Sequence, residues 1–208
     1  MNLTIDSKEL AAGVISVAKA LPARASMPIL EGIYLQATSD GLRLKCTDMM
    51  LQKECTVAAD VSEEGYAVIT GKLFSELVRK IPDGEVTIRL DGETLFISCG
   101  RFSSSVQCLS DSGNYPDMQF NGDAFSVKID SVRCAKMINE TVFATSTEES
   151  KPVLTGVLIE LGSEISFVAT DAFQFAKRSM AMRIPSEERS VIVPSKSMVE
   201  ISRMMDAV

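Results

Sequence analysis

Short alternating segments dominate the first half of the chain. Apolar, often β-branched residues alternate with polar ones over 2–6, 29–36, 41–46, 52–60, 66–70, 85–90, 94–99 and 102–108, each run bounded by Gly, Asp or Pro. That pattern predicts β-strands. Asp40-Gly41 and Asp91-Gly92 fall between neighbouring strands, where tight hairpin turns use these residues. Over 7–20, 72–81, 131–143 and 196–205 the spacing of apolar positions becomes helical. Each helix is expected to follow a strand and to open at or near a short polar or small residue: Asp6-Ser7, Thr70-Gly71, Asp130-Ser131 and Pro194-Ser195. Asp, Ser and Thr there can accept hydrogen bonds from the free amides of the first turn. The expected fold class is α+β, with helices on one face of antiparallel sheets.

The pattern repeats. Residues 3–35 align without gaps on 127–159 at an offset of 124, so that Ile5-Asp6-Ser7 recurs as Ile129-Asp130-Ser131. Ser26, Pro28, Leu30 and Gly32 likewise recur as Ser150, Pro152, Leu154 and Gly156. One residue is then lost, Thr47-Asp48 matching Thr170-Asp171 at an offset of 123. The offset returns to 124 for 62–64 against 186–188 and holds for 72–79 against 196–203. Four matches in order with one compensated gap indicate a duplicated domain. The expected domains are 1–121 and 122–208, joined by a turn-rich linker at 110–123. Val208 corresponds to Gly84, so the second copy is expected to be incomplete, without counterparts of 85–90, 94–99 and 102–108, and the chain is expected to be a truncated form.

Composition narrows the function. The chain has no histidine, which removes the usual general base, the usual metal ligand and every imidazole-based triad. Its five cysteines (Cys46, Cys55, Cys99, Cys108 and Cys134) form no C-x-x-C pair and read as reduced, buried hydrophobes; neither a metal nor another cofactor is expected. No apolar run is long enough to span a bilayer and no export signal opens the sequence, so a cytoplasmic location is expected.

The net charge of −7 argues at first against nucleic acid, but its distribution reverses the argument. Projected on a helical wheel, Leu10, Val14, Val17 and Leu21 oppose Lys8 and Lys19, while Phe74, Leu77, Val78 and Ile81 oppose Lys72 and Arg79. In the second copy, Ala135, Ile138 and Val142 oppose Arg133 and Lys136, and Met198, Ile201 and Met205 oppose Lys196 and Arg203. Residues 7–24, 72–81, 131–143 and 196–205 carry +6 together, leaving −13 on everything else. Four locally basic helices in an acidic chain fit a surface that binds phosphates without reading bases, and duplex is the expected ligand because no aromatic-rich basic stretch is present for stacking single strands.

The segments MPILEGIYLQA, LKCTDMMLQ, PVLTGVLIEL, VATDAFQFA and VIVPSKSMVEISRMM resemble those of bacterial sliding clamps, the β subunits of DNA polymerase III, over essentially the whole of 1–208. The resemblance implies tandem DNA-clamp (processivity-fold) domains, the second incomplete. It implies a ring made by a head-to-tail homodimer of three-domain subunits, with helices lining the hole and no catalytic residues. The ring would encircle duplex DNA without sequence preference and tether the DNA polymerase III catalytic subunit, the clamp loader and other proteins with clamp-binding motifs. Arg24 matches a family residue on a DNA-touching loop, and Lys151, Lys196 and Arg203 fall on or near the same inner surface. Leu154, Thr170, Ala172, Phe173, Gln174 and Phe175 match one wall of the family's peptide groove. The family usually has His-Arg-Leu where this chain has Phe173-Gln174-Phe175, which makes the wall more aromatic and less cationic. The rest of that groove lies outside this sequence, so weak peptide binding is expected. Leu77, Ser104 and Val106 match the dimer interface, and without a third domain the chain is expected to be a monomer or to self-associate weakly.

Two other readings compete. An enzyme could use the repeated Thr-Asp pairs or Cys134 as nucleophile, although recurrence in both copies points to a structural turn. A short clamp relative or decoy would bind clamp partners without encircling DNA.

Overall fold

The computed structural model describes residues 1–110, 112–118, 126–182 and 188–205. Residues 111 and 119–123 of the expected linker, part of the 186–188 match and Val208 therefore lie outside the described residues. The chain divides into two compact units, Met1–Asn121 and Gly122–Val208.

Unit 1 runs β1 (Asn2–Asp6), α1 (Ser7–Val17), β2 (Gly32–Thr38), β3 (Gly41–Thr47), β4 (Gln52–Val57), β5 (Asp60–Glu63), β6 (Gly65–Thr70), α2 (Gly71–Val78), β7 (Glu85–Asp91), β8 (Thr94–Cys99) and β9 (Phe102–Gln107). Two antiparallel sheets result, ordered β5-β1-β7-β8-β9 and β4-β3-β2-β6. One core joins both sheets to the helices, with Leu3, Leu10, Val14, Ile33, Leu44, Phe74, Ile88 and Ile97 essentially inaccessible. Each fully buried Leu or Phe contributes about 1.5–3 kcal/mol.

Unit 2 contains α3 (Ser131–Asn139), β10 (Gly156–Leu161), β11 (Glu164–Thr170), β12 (Phe175–Ala181), β13 (Arg189–Pro194) and α4 (Ser195–Met205). Its sheet is ordered β12-β11-β10-β13, the same path as β4-β3-β2-β6. The repeat extends to detail: 3-10 turns at Ala18–Ala20 and Pro28–Glu31 recur at Val142–Ala144 and Pro152–Thr155. The second core is smaller, built on Met137, Ile138, Val157, Phe167 and Met198. No helix among the described residues is long and apolar enough to cross a membrane.

Several predicted boundaries shift for identifiable reasons. The strand expected at 29–36 begins at Gly32, because Pro28 opens a 3-10 turn immediately before it. The segment 52–60 is divided, β4 pairing with β3 while β5 crosses to pair with β1 in the other sheet. Helix α3 ends at Asn139, where the Thr141 hydroxyl donates to the carbonyls of Met137 and Ile138 at 2.8 and 3.2 Å. Residues 126–130 form no strand ahead of α3. Their counterpart β1 is held between β5 and β7, and no strand equivalent to β7, β8 or β9 occurs among the described residues of unit 2.

Candidate functional site

In unit 1 the Asp6 carboxylate caps α1 by accepting from the amides of Lys8 and Glu9 at 2.8 and 3.2 Å. This fixes the helix start and turns Leu10, Val14 and Val17 into the core. Helix α2 lacks a side-chain cap bond and buries Phe74 and Val78. The two helices pack against each other. Lys8, Lys19, Arg24, Lys72 and Arg79 are all exposed. They are not equivalent. Lys8 lies 3.0 Å from Asp83, whose hydrogen bond raises the lysine pKa, and Lys19 is also engaged by a neighbour. Arg24, Lys72 and Arg79 make no ion pair among the described residues, so they hold the uncommitted charge of this face.

In unit 2 the Asp130 carboxylate caps α3 through the Arg133 amide at 2.9 Å. Helices α3 and α4 pack together, as α1 and α2 do. Arg133, Lys136, Lys151, Lys196 and Arg203 are exposed. Lys136 lies 3.8 Å from Glu140 and Lys151 3.8 Å from Glu148. Lys196 is engaged by a neighbour. Arg203 is bound most firmly, at 2.6 Å from a Glu200 carboxylate that is itself buried. The inward stripe of α4 differs from expectation: Ile201 is 36% exposed, while Ser202 is buried and donates to Asn139 Oδ1 on α3 at 3.0 Å. A polar interhelical contact thus rotates the stripe to Met198, Ser202 and Met205.

The matched peptide wall is built on one turn between β11 and β12. Thr170 Oγ1 accepts from the Ala172 amide at 3.1 Å and donates to the Gln174 carbonyl at 2.6 Å. Asp171 Oδ1 accepts from the amides of Phe173 and Gln174 at 2.8 and 2.6 Å. These bonds, the Gln174 amide first, hold the Asp171 pKa below its ordinary value. They also keep Ala172 at a left-handed φ of 78°. The Gln174 side chain folds back onto Asp171 Oδ2 at 3.1 Å, leaving Phe173 and Phe175 to project, 96% and 69% exposed. Leu154 is half-buried in the 3-10 turn that precedes β10, at the same end of the sheet.

The same turn occurs in unit 1. Thr47 accepts from the Met49 amide at 3.0 Å, Asp48 accepts from Met50 and Leu51 at 3.0 and 2.8 Å, and Met49 has φ 72°. The Thr-Asp pairs therefore shape backbone in both copies. Burial raises the Cys134 thiol pKa, which suppresses the thiolate a nucleophile needs.

Ser104 and Val106 lie on β9, an edge strand that among the described residues pairs only with β8, and Leu77 lies on α2. Phe102, Ser104 and Val106 face inward, Val106 being buried, while Ser103, Ser105 and Gln107 face out. Leu77 is half-buried and packs on the core. The Val106 side chain is thus committed to its own unit. Sequence reasoning also missed Arg178 on β12, exposed beside α3 and 3.0 Å from Glu140.

Known proteins share the fold of both units. The family model for the N-terminal domain of the DNA polymerase III beta subunit matches residues 1–119, and that for its central domain matches 128–208. The beta sliding clamp of Bacillus subtilis (strain 168) is 32% identical over 99% of this chain, which spans 57% of that relative's length. The crystal structure of the DNA polymerase sliding clamp from Bacillus subtilis superposes with a TM-score of 0.92 at 30% identity, over 98% of this chain and 56% of that one. The structure of a putative DNA polymerase III beta subunit from Eubacterium rectale gives 0.93 at 28% identity, over 100% of this chain and 57% of that one. With both of its units matched in order, this chain belongs to the DNA polymerase III beta subunit family.

Proposed function

We propose that this chain forms part of a cytoplasmic sliding clamp, a non-catalytic processivity factor that encircles duplex DNA and tethers replication proteins to it. The observation that carries the reading is the repeated helix pair: α1 with α2, and α3 with α4, each present cations on the face turned from the core. Such faces bind phosphates through charge alone, so the protein can slide and gains nothing from base sequence. Arg24, Lys72, Arg79 and Arg133 are the main contacts, with Lys8, Lys19, Lys136, Lys151, Lys196 and Arg203 contributing less because neighbours already engage them.

Phe173 and Phe175, supported by Leu154, form the unit 2 wall of a site for the polymerase catalytic subunit, the clamp loader and other partners that present short apolar peptides. The exposed edge of β9 serves head-to-tail dimerisation, its backbone adding a strand across the junction. This chain spans 57% of the length of the relative from Bacillus subtilis, and ring closure is proposed to draw on clamp domains additional to its two units.

The test compares nicked circular and linearised duplex, using protein expressed from the complete native gene and loaded with its clamp loader. Retention on the circle and rapid loss from the linear form is the expected result. Equal retention on both would overturn encirclement.

A further inference from the structure

Unit 2 has a basic cavity that the duplication does not explain. Arg133 and Lys136 on α3 and Arg178 on β12 border a surface cavity of about 310 Å3, with Met137, Ser179 and Met180 completing its lining. At the corresponding positions unit 1 has Glu9, Ala12 and Cys55, none of them basic.

The cavity has a physical origin. In unit 1, α1 packs directly on β4 because Gly13 faces it. A Cβ at Gly13 would stand 2.7 Å from Val57 Cγ2 and 2.9 Å from Leu44 Cδ1. Met137 occupies the Gly13 position in unit 2, and its side chain takes up the space that close packing would need. Helix α3 accordingly makes no comparable packing on β12, and a gap is left between them. Into its rim the sequence places three cations where unit 1 has none.

The charges are only partly compensated. Glu140 lies 3.0 Å from Arg178 Nε and 3.8 Å from Lys136 Nζ, while Arg133 makes no ion pair among the described residues. One carboxylate thus pairs with two of the three cations and leaves the third uncompensated. The ion pair with Glu140 is made through Nε, and the terminal nitrogens of the Arg178 guanidinium form a planar fork suited to phosphate oxygens.

We propose that Arg133, Lys136 and Arg178 form a phosphate pocket peculiar to the second unit, which seats one backbone phosphate of duplex DNA. The proposal deepens the sliding-clamp reading of the α3 face and rests on it. Glu140 acts as an internal competitor for the same cations, weakening the grip so that a phosphate can enter and leave. The ligand chemistry, a phosphate oxyanion, could also be met by free phosphate, and the experiment separates the two.

The test uses this chain and a short fluorescein-labelled duplex, followed by polarisation across a salt series, together with titrations of inorganic pyrophosphate. Arg178→Gln is expected to weaken duplex binding by on the order of tenfold at about 50 mM salt and to flatten the log–log salt slope by about 0.9. Glu140→Gln is expected to strengthen binding, a gain that misfolding does not produce. Duplex binding unchanged in both variants would overturn the pocket; if Lys72→Glu still weakened binding, the broader DNA reading would survive. Tight pyrophosphate binding lost in Arg178→Gln, with duplex binding unaffected, would overturn the assignment to DNA and leave a free-phosphate site.

Discussion

Tyr115 donates its phenolic hydrogen to the carbonyl of Gly32 at 3.1 Å, joining a segment beyond β9 to the first residue of β2. The same oxygen accepts from the Thr47 amide at 3.3 Å. The ring lies beside Tyr34, and Lys45 Nζ sits 5.6 Å from its centroid and 3.2 Å from Asp117. Gln52 completes the seam by donating to Asp117 at 3.2 Å and accepting from the Met118 amide at 3.1 Å. A segment without regular secondary structure is thereby fixed over the outer face of the β4-β3-β2-β6 sheet.

Tyr115→Phe removes both polar contacts, leaving the Gly32 carbonyl only the weak Cys46 thiol donor, at a cost of about 1–3 kcal/mol. Urea unfolding followed by far-ultraviolet circular dichroism measures the loss, and Tyr115→Leu, which also removes the aromatic contact, should lose more.

Asp117 contributes a pH dependence. The Lys45 hydrogen bond, with a smaller one from Gln52, lowers its pKa, burial opposing them. A carboxylate with a depressed folded-state pKa stabilises fully above the unfolded value of about 3.9 and loses that contribution as pH falls through the folded value. Asp117→Asn should therefore narrow the stability gap between pH 6 and pH 3, read from urea midpoints at each pH.

Asp171 should titrate below the usual aspartate range, because backbone amides of Gln174 and Phe173 stabilise its anion. Protonation then loosens the turn as pH falls. Carbon-detected NMR of the side-chain carboxyl checks the midpoint; a value at or above about 3.9 would contradict the hydrogen bonding. Loss of amide-exchange protection at Phe173 and Gln174 should follow the same titration.

Phe173→Ser should leave stability within about 0.5 kcal/mol, since the ring touches almost nothing in its own unit. The same change should weaken binding of a peptide with adjacent aliphatic and aromatic side chains by about tenfold if Phe173 is an anchor. Unchanged peptide affinity would remove Phe173 from the proposed site.

Lys72→Glu combined with Arg79→Glu should weaken duplex binding and flatten the salt slope by about 1.8, two phosphate contacts at about 0.9 each. Polarisation titrations at several salt concentrations provide the measurement. A slope that does not change would place these residues outside the DNA-binding face.

Local signals made much of this legible. The caps at Asp6 and Asp130 act within three residues, so sequence shows them directly. The duplication was visible because equivalent turns require equivalent residues, as at Pro28 and Pro152. What escaped was set by distant partners. The break between β4 and β5 depends on β1 recruiting Asp60–Glu63, and the rotation of α4 depends on Asn139 meeting Ser202. Arg178 carries no helical signal, because it lies on a strand that a helix fails to cover. Val106 could have been placed inward from the alternation of Phe102, Ser104 and Val106 alone.

The Thr-Asp turn divides labour between its own residues. Its first two side chains supply the acceptors for the amides that follow, so the backbone keeps its shape whichever side chains come next. Unit 1 carries Met50-Leu51-Gln52 on this frame and unit 2 carries Phe173-Gln174-Phe175. Mutation can therefore change what the rim presents one side chain at a time while the turn keeps its own hydrogen bonds. In a lineage under pressure to change partners, these three positions are where drift costs least and new recognition can start.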